Sequence, residues 1–120
     1  MKAVAFNGSP RKGGNTGYLL EQVLGPIRDA GAETELIHIG GQALRGCTAC
    51  NWCIDNQVGR CVIDNDPING WIAKMLEADA IILGSPTYFA DMTTEMKALV
   101  DRAGFVAFAN GRLFSRKIGS

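Results

Sequence analysis

Apolar residues are grouped along this chain in two ways, as short continuous runs and as longer stretches with helical spacing. Ala3-Val4-Ala5-Phe6 is a run of the first kind, ended by Asn7-Gly8, and reads as a buried strand entering a turn. Leu19, Leu20, Val23, Leu24 and Ile27 then share one helix face, with Asn15 or Thr16 predicted as the cap. Gly25-Pro26 is expected to kink or fray that helix, because proline lacks the N–H and crowds the preceding turn. Gly31 closes it, and Glu33 to Ile39 reads as a second strand stopped by Gly40-Gly41. A loop over residues 43–63 holds all four cysteines. Asp66-Pro67 then suits a helix start, and Ile68, Trp71, Ile72, Met75 and Leu76 keep the spacing of one buried face. Ala80 to Leu83 is a third strand ended by Gly84-Ser85-Pro86. Met96, Leu99, Val100 and Ala103 mark a last helix capped by Thr93 or Thr94.

The predicted order is β-α-β-loop-α-β-α. Continuous apolar strands alternating with amphipathic helices predict a parallel sheet covered on both faces, with strand order 2-1-3. Nothing after Phe108 reads as a fourth or fifth strand, and Arg112 to Ser120 ends where another strand is expected to begin. The expectation is therefore one domain over residues 1–120, shortened from a longer parent; a natural minimal variant is the alternative.

Composition narrows the function classes. With 120 residues, 47% apolar and 20% charged, the chain has ordinary globular usage and room for one core. Twelve basic residues balance twelve acidic ones, so no global charge favours nucleic acid or a membrane surface as partner. No run is long enough to span a membrane and no secretory signal is visible, so a cytoplasmic location is expected. In that reducing setting, clustered cysteines favour metal or redox chemistry over disulfides.

The first turn, Gly8 to Thr16, follows a strand and opens a helix. Pro10 stands at the third position, where a dinucleotide loop needs glycine, and the lysine of a triphosphate loop is missing. What remains is the Ser9 and Thr16 hydroxyls, the Arg11 guanidinium, the Asn15 amide and backbone N–H groups, an array suited to one terminal phosphate. A flexible surface turn is the plainer alternative. Gly84-Ser85-Pro86-Thr87-Tyr88-Phe89, at the carboxyl end of the third strand, would adjoin it at the switch point where ligands bind. There its backbone can meet the edge of a heterocycle and Tyr88 or Phe89 its ring. Cys47, Cys50 and Cys53 repeat every third residue, and Cys61 can return to the same pocket. That compact run resembles iron–sulfur ligation more than the paired knuckles of structural zinc; zinc or a bare thiol set are the alternatives.

Taken together, the two loops and the segment Met92-Thr93-Thr94-Glu95-Met96-Lys97-Ala98-Leu99-Val100-Asp101-Arg102 resemble the NADPH-dependent FMN reductase branch of the flavodoxin-like superfamily. The cysteines resemble those of its iron–sulfur flavoprotein subgroup. The resemblance implies a flavodoxin-like three-layer α/β/α fold, with Ser9, Arg11, Lys12, Asn15 and Thr16 at the FMN phosphate and Pro86, Thr87, Tyr88 and Phe89 along the isoalloxazine. It also implies Cys47, Cys50, Cys53 and Cys61 on a 4Fe-4S cluster. The implied activity is electron transfer between FMN and the cluster. NAD(P)H or ferredoxin would be the donor, a quinone, an oxygen species or a redox protein the acceptor, and the assembly a homodimer or homotetramer. An NAD(P)H-dependent FMN or quinone reductase without a cluster is the second reading, and a non-enzymatic flavin-binding fragment the third.

Other residues carry less. His38 is the lone histidine and reads as packed or solvent-facing, and a hydrolytic triad cannot be built around it. Asp64, Asp66, Asp91 and Glu95 read as helix caps and solvated faces.

Overall fold

A computed structural model describes residues 1–120. The elements run β1 (Lys2–Asn7), α1 (Asn15–Asp29), β2 (Glu33–His38), α2 (Trp52–Asn56), α3 (Ile68–Glu77), β3 (Ala80–Gly84), α4 (Thr94–Ala109) and β4 (Ile118–Gly119). All strand pairs are parallel and the sheet order is β2-β1-β3-β4. The 2-1-3 arrangement expected from the sequence is present, and the flavodoxin-like class with it.

Beyond it lies a strand that the sequence reading did not include. Ile118 and Gly119 pair with Ala80 and Ile81, and the Ile118 and Ser120 N–H groups donate to the Asp79 and Ile81 carbonyls at 3.0 and 3.1 Å. Two residues with one apolar side chain carry no periodicity, so only the open edge of β3 reveals this pairing.

Alternation along β1 divides the core in two. Val4 and Phe6 point with Ile81 toward α3 and α4, where they meet Ile68, Trp71, Ile72, Met75, Met96, Leu99 and Val106. The Phe6 and Trp71 rings pack edge to face at 6.4 Å, a geometry that adds about 1 kcal/mol beyond the area buried. Ala3 and Ala5 point the other way with Ala80 and Ile82, and their small side chains seat Leu20 and Leu24 of α1 on the sheet.

Helix α1 departs from its predicted form at three points. Its cap is Gly14, and no side chain bonds the first N–H groups, so Asn15 and Thr16 lie in the first turn instead of capping it. Pro26 is carried inside the helix, which continues to Asp29; near the end of the helix, a missing N–H costs one bond without stopping the chain. Leu20 and Leu24 are buried, but Leu19 and Val23 of the predicted face are exposed, because one helix over a narrow sheet covers only the central stripe. Gly31 follows the helix at φ +94°, where a side chain would be strained.

Helix α2 falls within the segment expected to be loop, while α3 and α4 keep their predicted faces. Helix α3 starts one residue later than expected, with Pro67 instead of Asp66 at the cap position; Asp66, just before it, accepts the Ile68 N–H through Oδ1 at 3.1 Å. Thr93 caps α4, accepting the Met96 N–H at 3.4 Å.

Candidate functional site

The carboxyl ends of β1 and β3 bring the two glycine-bearing loops together. The Gly8 N–H donates to the Gly84 carbonyl at 2.7 Å, and the Thr93 hydroxyl donates to the Gly8 carbonyl at 2.9 Å. The Thr93 N–H in turn donates to Ser85 Oγ at 3.0 Å, so the start of α4 pins both loops. A side chain at Gly8 would be tightly hemmed in, since a Cβ would lie 3.0 Å from Thr93 Oγ1 and 3.2 Å from the Gly84 carbonyl oxygen.

The first loop is shaped from beneath by Asn7, which is fully buried. Its Oδ1 accepts the Ser9 N–H at 2.9 Å, which leaves its amide nitrogen to face His38 Nδ1 at 3.1 Å. His38 is therefore a half-buried support of the turn, as a packed histidine should be. Ser9 Oγ accepts the Arg11 N–H at 3.2 Å, and the Gly14 N–H donates to the Arg11 carbonyl at 3.1 Å. The turn is thus closed by its own bonds while the uncapped start of α1 keeps free N–H groups, the positive end of the helix dipole.

Ser9, Arg11, Gly14, Asn15, Thr16, Pro86 and Tyr88 line one cavity of about 270 Å³. Lys12 does not line it; it faces a neighbouring cleft with Tyr18, Glu21 and His38. Thr87 lies outside as well, and Phe89 stands fully in solvent at the tip of a turn closed by Tyr88 and Asp91. Phe89 and Ala90 both hold left-handed backbone, at φ 40° and 69°, a strained choice for residues other than glycine.

The four cysteines, close together in the chain, meet at one place in the fold. Cys47, Cys50, Cys53 and Cys61 line one cavity with Val62, Ile63, Arg102, Phe105 and Val106. Cys53 is buried at the start of α2, Cys61 is half-buried, and Cys47 and Cys50 are exposed. All are free thiols. Burial pushes the Cys53 thiol up, and the neighbouring Cys61, Cys47 and Cys50 push it further the same way, which disfavours its thiolate.

The four thiols are soft donors, the ligand type that iron–sulfur groups take. The Ala49 N–H donates to Cys47 Sγ at 3.4 Å, and Ala49 and Asn51 hold left-handed backbone at φ 53° and 62°, which turns the chain sharply between cysteines. The cavity encloses only about 20 Å³, and no three His, Cys, Asp or Glu side chains stand at the spacing of a single metal ion.

Arg102 was missed by the sequence reading. Asp66 was read only as a cap. The two form an ion pair at 2.5 Å with side chains 0% and 5% exposed, beside the cysteine cavity. The signal was present: Leu99, Arg102, Ala103 and Val106 share the buried face of α4, and an arginine in such a stripe needs a buried anion. Burial alone would raise the Asp66 carboxyl, but the Arg102 bond and the Ile68 N–H together hold it below its ordinary value. Its stabilising contribution is thus complete above about pH 3.9 and is lost as pH falls through the lower folded value. Asp66→Asn, which strands a buried guanidinium, is expected to cost about 3 kcal/mol near neutrality, and the gap from the parent should narrow below pH 4. Urea melts at several pH values measure this; a gap independent of pH contradicts it.

The sequence profile of NADPH-dependent FMN reductases matches residues 1–120. An iron-sulfur flavoprotein of Methanocaldococcus jannaschii is 42% identical over 86% of this chain and 52% of its own. One from Archaeoglobus fulgidus is 38% identical over 97% of this chain and 55% of its own. The chain therefore spans about half the length of these curated relatives. Among solved structures, an NADH:FMN oxidoreductase in apo form superposes with a TM-score of 0.59 at 23% identity, covering 83% of this chain and 48% of that one, a likeness of fold.

Proposed function

The chain belongs to the NADPH-dependent FMN reductase family, and on that premise we propose that it binds FMN between its two glycine-bearing loops and an iron–sulfur cluster, of 4Fe-4S type, on its four cysteines. The reading makes it an electron-transfer flavoprotein, with NAD(P)H or ferredoxin as donor and a quinone, an oxygen species or a redox protein as acceptor. FMN takes a hydride or two single electrons and releases them singly, and a cluster carries one. The observation that carries the reading is the convergence of all four cysteines on one cavity beside α4, the helix whose cap holds the flavin loops. Thr93 and Arg102 are nine positions apart on one helix, about 14 Å at 1.5 Å per residue.

The protein's own groups bind and orient. Ser9, Thr16 and the free N–H groups of α1 would receive a phosphate monoester, with Arg11 adding charge. Pro86 and Tyr88 would border the ring. Lys12 lies close enough to contribute charge without contact, whereas Phe89 would need its turn to fold inward before meeting a flavin. Cys53, buried, and Cys61, half-buried, would form the inner wall of the cluster site and the exposed Cys47 and Cys50 its outer side.

Arg11→Ala should raise the FMN dissociation constant about tenfold, the lower range for a bond to a charged group, because Arg11 is exposed. Flavin fluorescence titration reads this, and an unchanged constant would remove Arg11 from the phosphate site. The second reading, a flavin or quinone reductase with bare thiols, is favoured by the small volume of the cysteine cavity. Iron and sulfide content separates the two.

A further inference from the structure

One cationic side chain lines the cysteine cavity. Arg102 is 1% exposed; its Nη1 donates to Asp66 Oδ2 at 2.5 Å and to the Arg45 carbonyl at 3.0 Å, and its Nη2 donates to the Ile63 carbonyl at 2.7 Å. Arg45 lies two residues before Cys47, and Ile63 two residues after Cys61. One guanidinium therefore ties together the two ends of the segment that carries every cysteine. Its Nε–H, also buried, has no acceptor.

Buried donors without partners are rare in folded proteins, and an arginine with one N–H left over at the wall of a thiol cavity is oriented for an anionic acceptor. Among the side chains lining the cavity, the cysteine sulfurs, the Thr48 hydroxyl and the Asn51 amide oxygen can accept a hydrogen bond, and of these only a thiolate is anionic. We propose that Arg102 is the positioning and electrostatic partner of the cysteine cavity, clamping both ends of the cysteine segment and reserving Nε–H for a thiolate or cluster sulfur. A fixed cation beside the site favours a group of net negative charge and eases the addition of an electron to it. This last effect rests on the cluster reading; the clamp and the free donor do not.

The test uses the full chain with the buried ion pair replaced by a neutral pair, Arg102→Gln with Asp66→Asn, so that no lone charge is stranded. In metal-free, reduced protein, Cys61 is alkylated with anionic iodoacetate and with neutral iodoacetamide and followed by peptide mass spectrometry. The ratio of the two rates cancels the fraction of thiolate and reports the local charge. It should fall about threefold in the double variant. In iron-loaded protein the reduction equilibrium should become about threefold less favourable, about 28 mV at 59 mV per tenfold for one electron. A merely structural pair would change stability and leave both readouts where they were, which overturns the proposal. If the double variant does not fold, Arg102→Lys keeps the charge but loses the fork. It should lose iron, or cadmium supplied as a probe, at least threefold faster into a chelator, and an unchanged rate overturns the clamp. Absence of iron and sulfide from the parent protein would refute the cluster reading, while the alkylation ratio would still decide the role of Arg102.

Discussion

Cys50→Ser is expected to leave the protein with no retained iron or acid-labile sulfide and with its fold intact. A serine hydroxyl stays protonated where a thiol ionises, and it is a poor ligand for a centre that prefers soft thiolates. Cys50 is exposed and packs against no core cluster, so the melting transition should move by less than about 0.5 kcal/mol equivalent. FMN affinity should also hold, because the thiol cavity shares no lining residue with the cavity between the flavin loops. Iron and sulfide assays beside a thermal melt make the check. Full iron content in this variant would remove Cys50 from the ligand set.

Gly40→Ala should damage the other site. A Cβ on Gly40 would run into the Ser9 carbonyl group and the Pro10 nitrogen, atoms of the backbone that cannot rotate aside. The Ser9–Pro10 peptide must then shift, and with it the hydroxyl that accepts the Arg11 N–H and shapes the turn. Overpacking of this kind costs about 1–3 kcal/mol. The structural loss should be accompanied by a rise of at least about tenfold in the FMN dissociation constant, since one misplaced hydrogen-bonded group facing a charged phosphate is worth about 1.5 kcal/mol. Denaturant melts give the first quantity and flavin titration the second. A destabilised variant that binds FMN normally would mean that the Gly8–Thr16 turn is not where the phosphate sits.

What the sequence disclosed and what it hid differ by range of interaction. The strands β1, β2 and β3 and the faces of α3 and α4 were legible because each buries a local pattern against a neighbour that needs only to be apolar. The glycine turn was legible because its hydroxyls, arginine and glycines stand together in the chain. β4 was hidden, since its two residues become a strand only by pairing with β3. The uncapped start of α1 was hidden too: Asn15 and Thr16 are good capping residues, but the turn through Arg11 and Gly14 sets the boundary one residue before them. α2 was unexpected because Trp52–Asn56 is a single short turn inside a loop, flanked by left-handed Asn51 and Gln57. The pairing of Arg102 with Asp66 joins residues 36 positions apart, and only the misfit of a charge on an apolar stripe pointed to it.

The two sites share a structural logic. Thr93, at the head of α4, bonds the loop after β1 and the loop after β3, and Arg102, farther along the same helix, bonds the two ends of the cysteine segment. A helix pinned at both places holds the two glycine-bearing loops and the cysteine segment in one fixed relation.

The most direct measurement is the amount of FMN, iron and acid-labile sulfide bound per chain in protein purified without oxygen and supplied with excess flavin, with the visible spectrum recorded on the same sample. The account predicts one FMN per chain together with iron and sulfide in equal amounts, and absorption from both groups. Flavin without iron or sulfide would contradict the cluster at the four cysteines, and protein carrying none of the three would contradict the account as a whole.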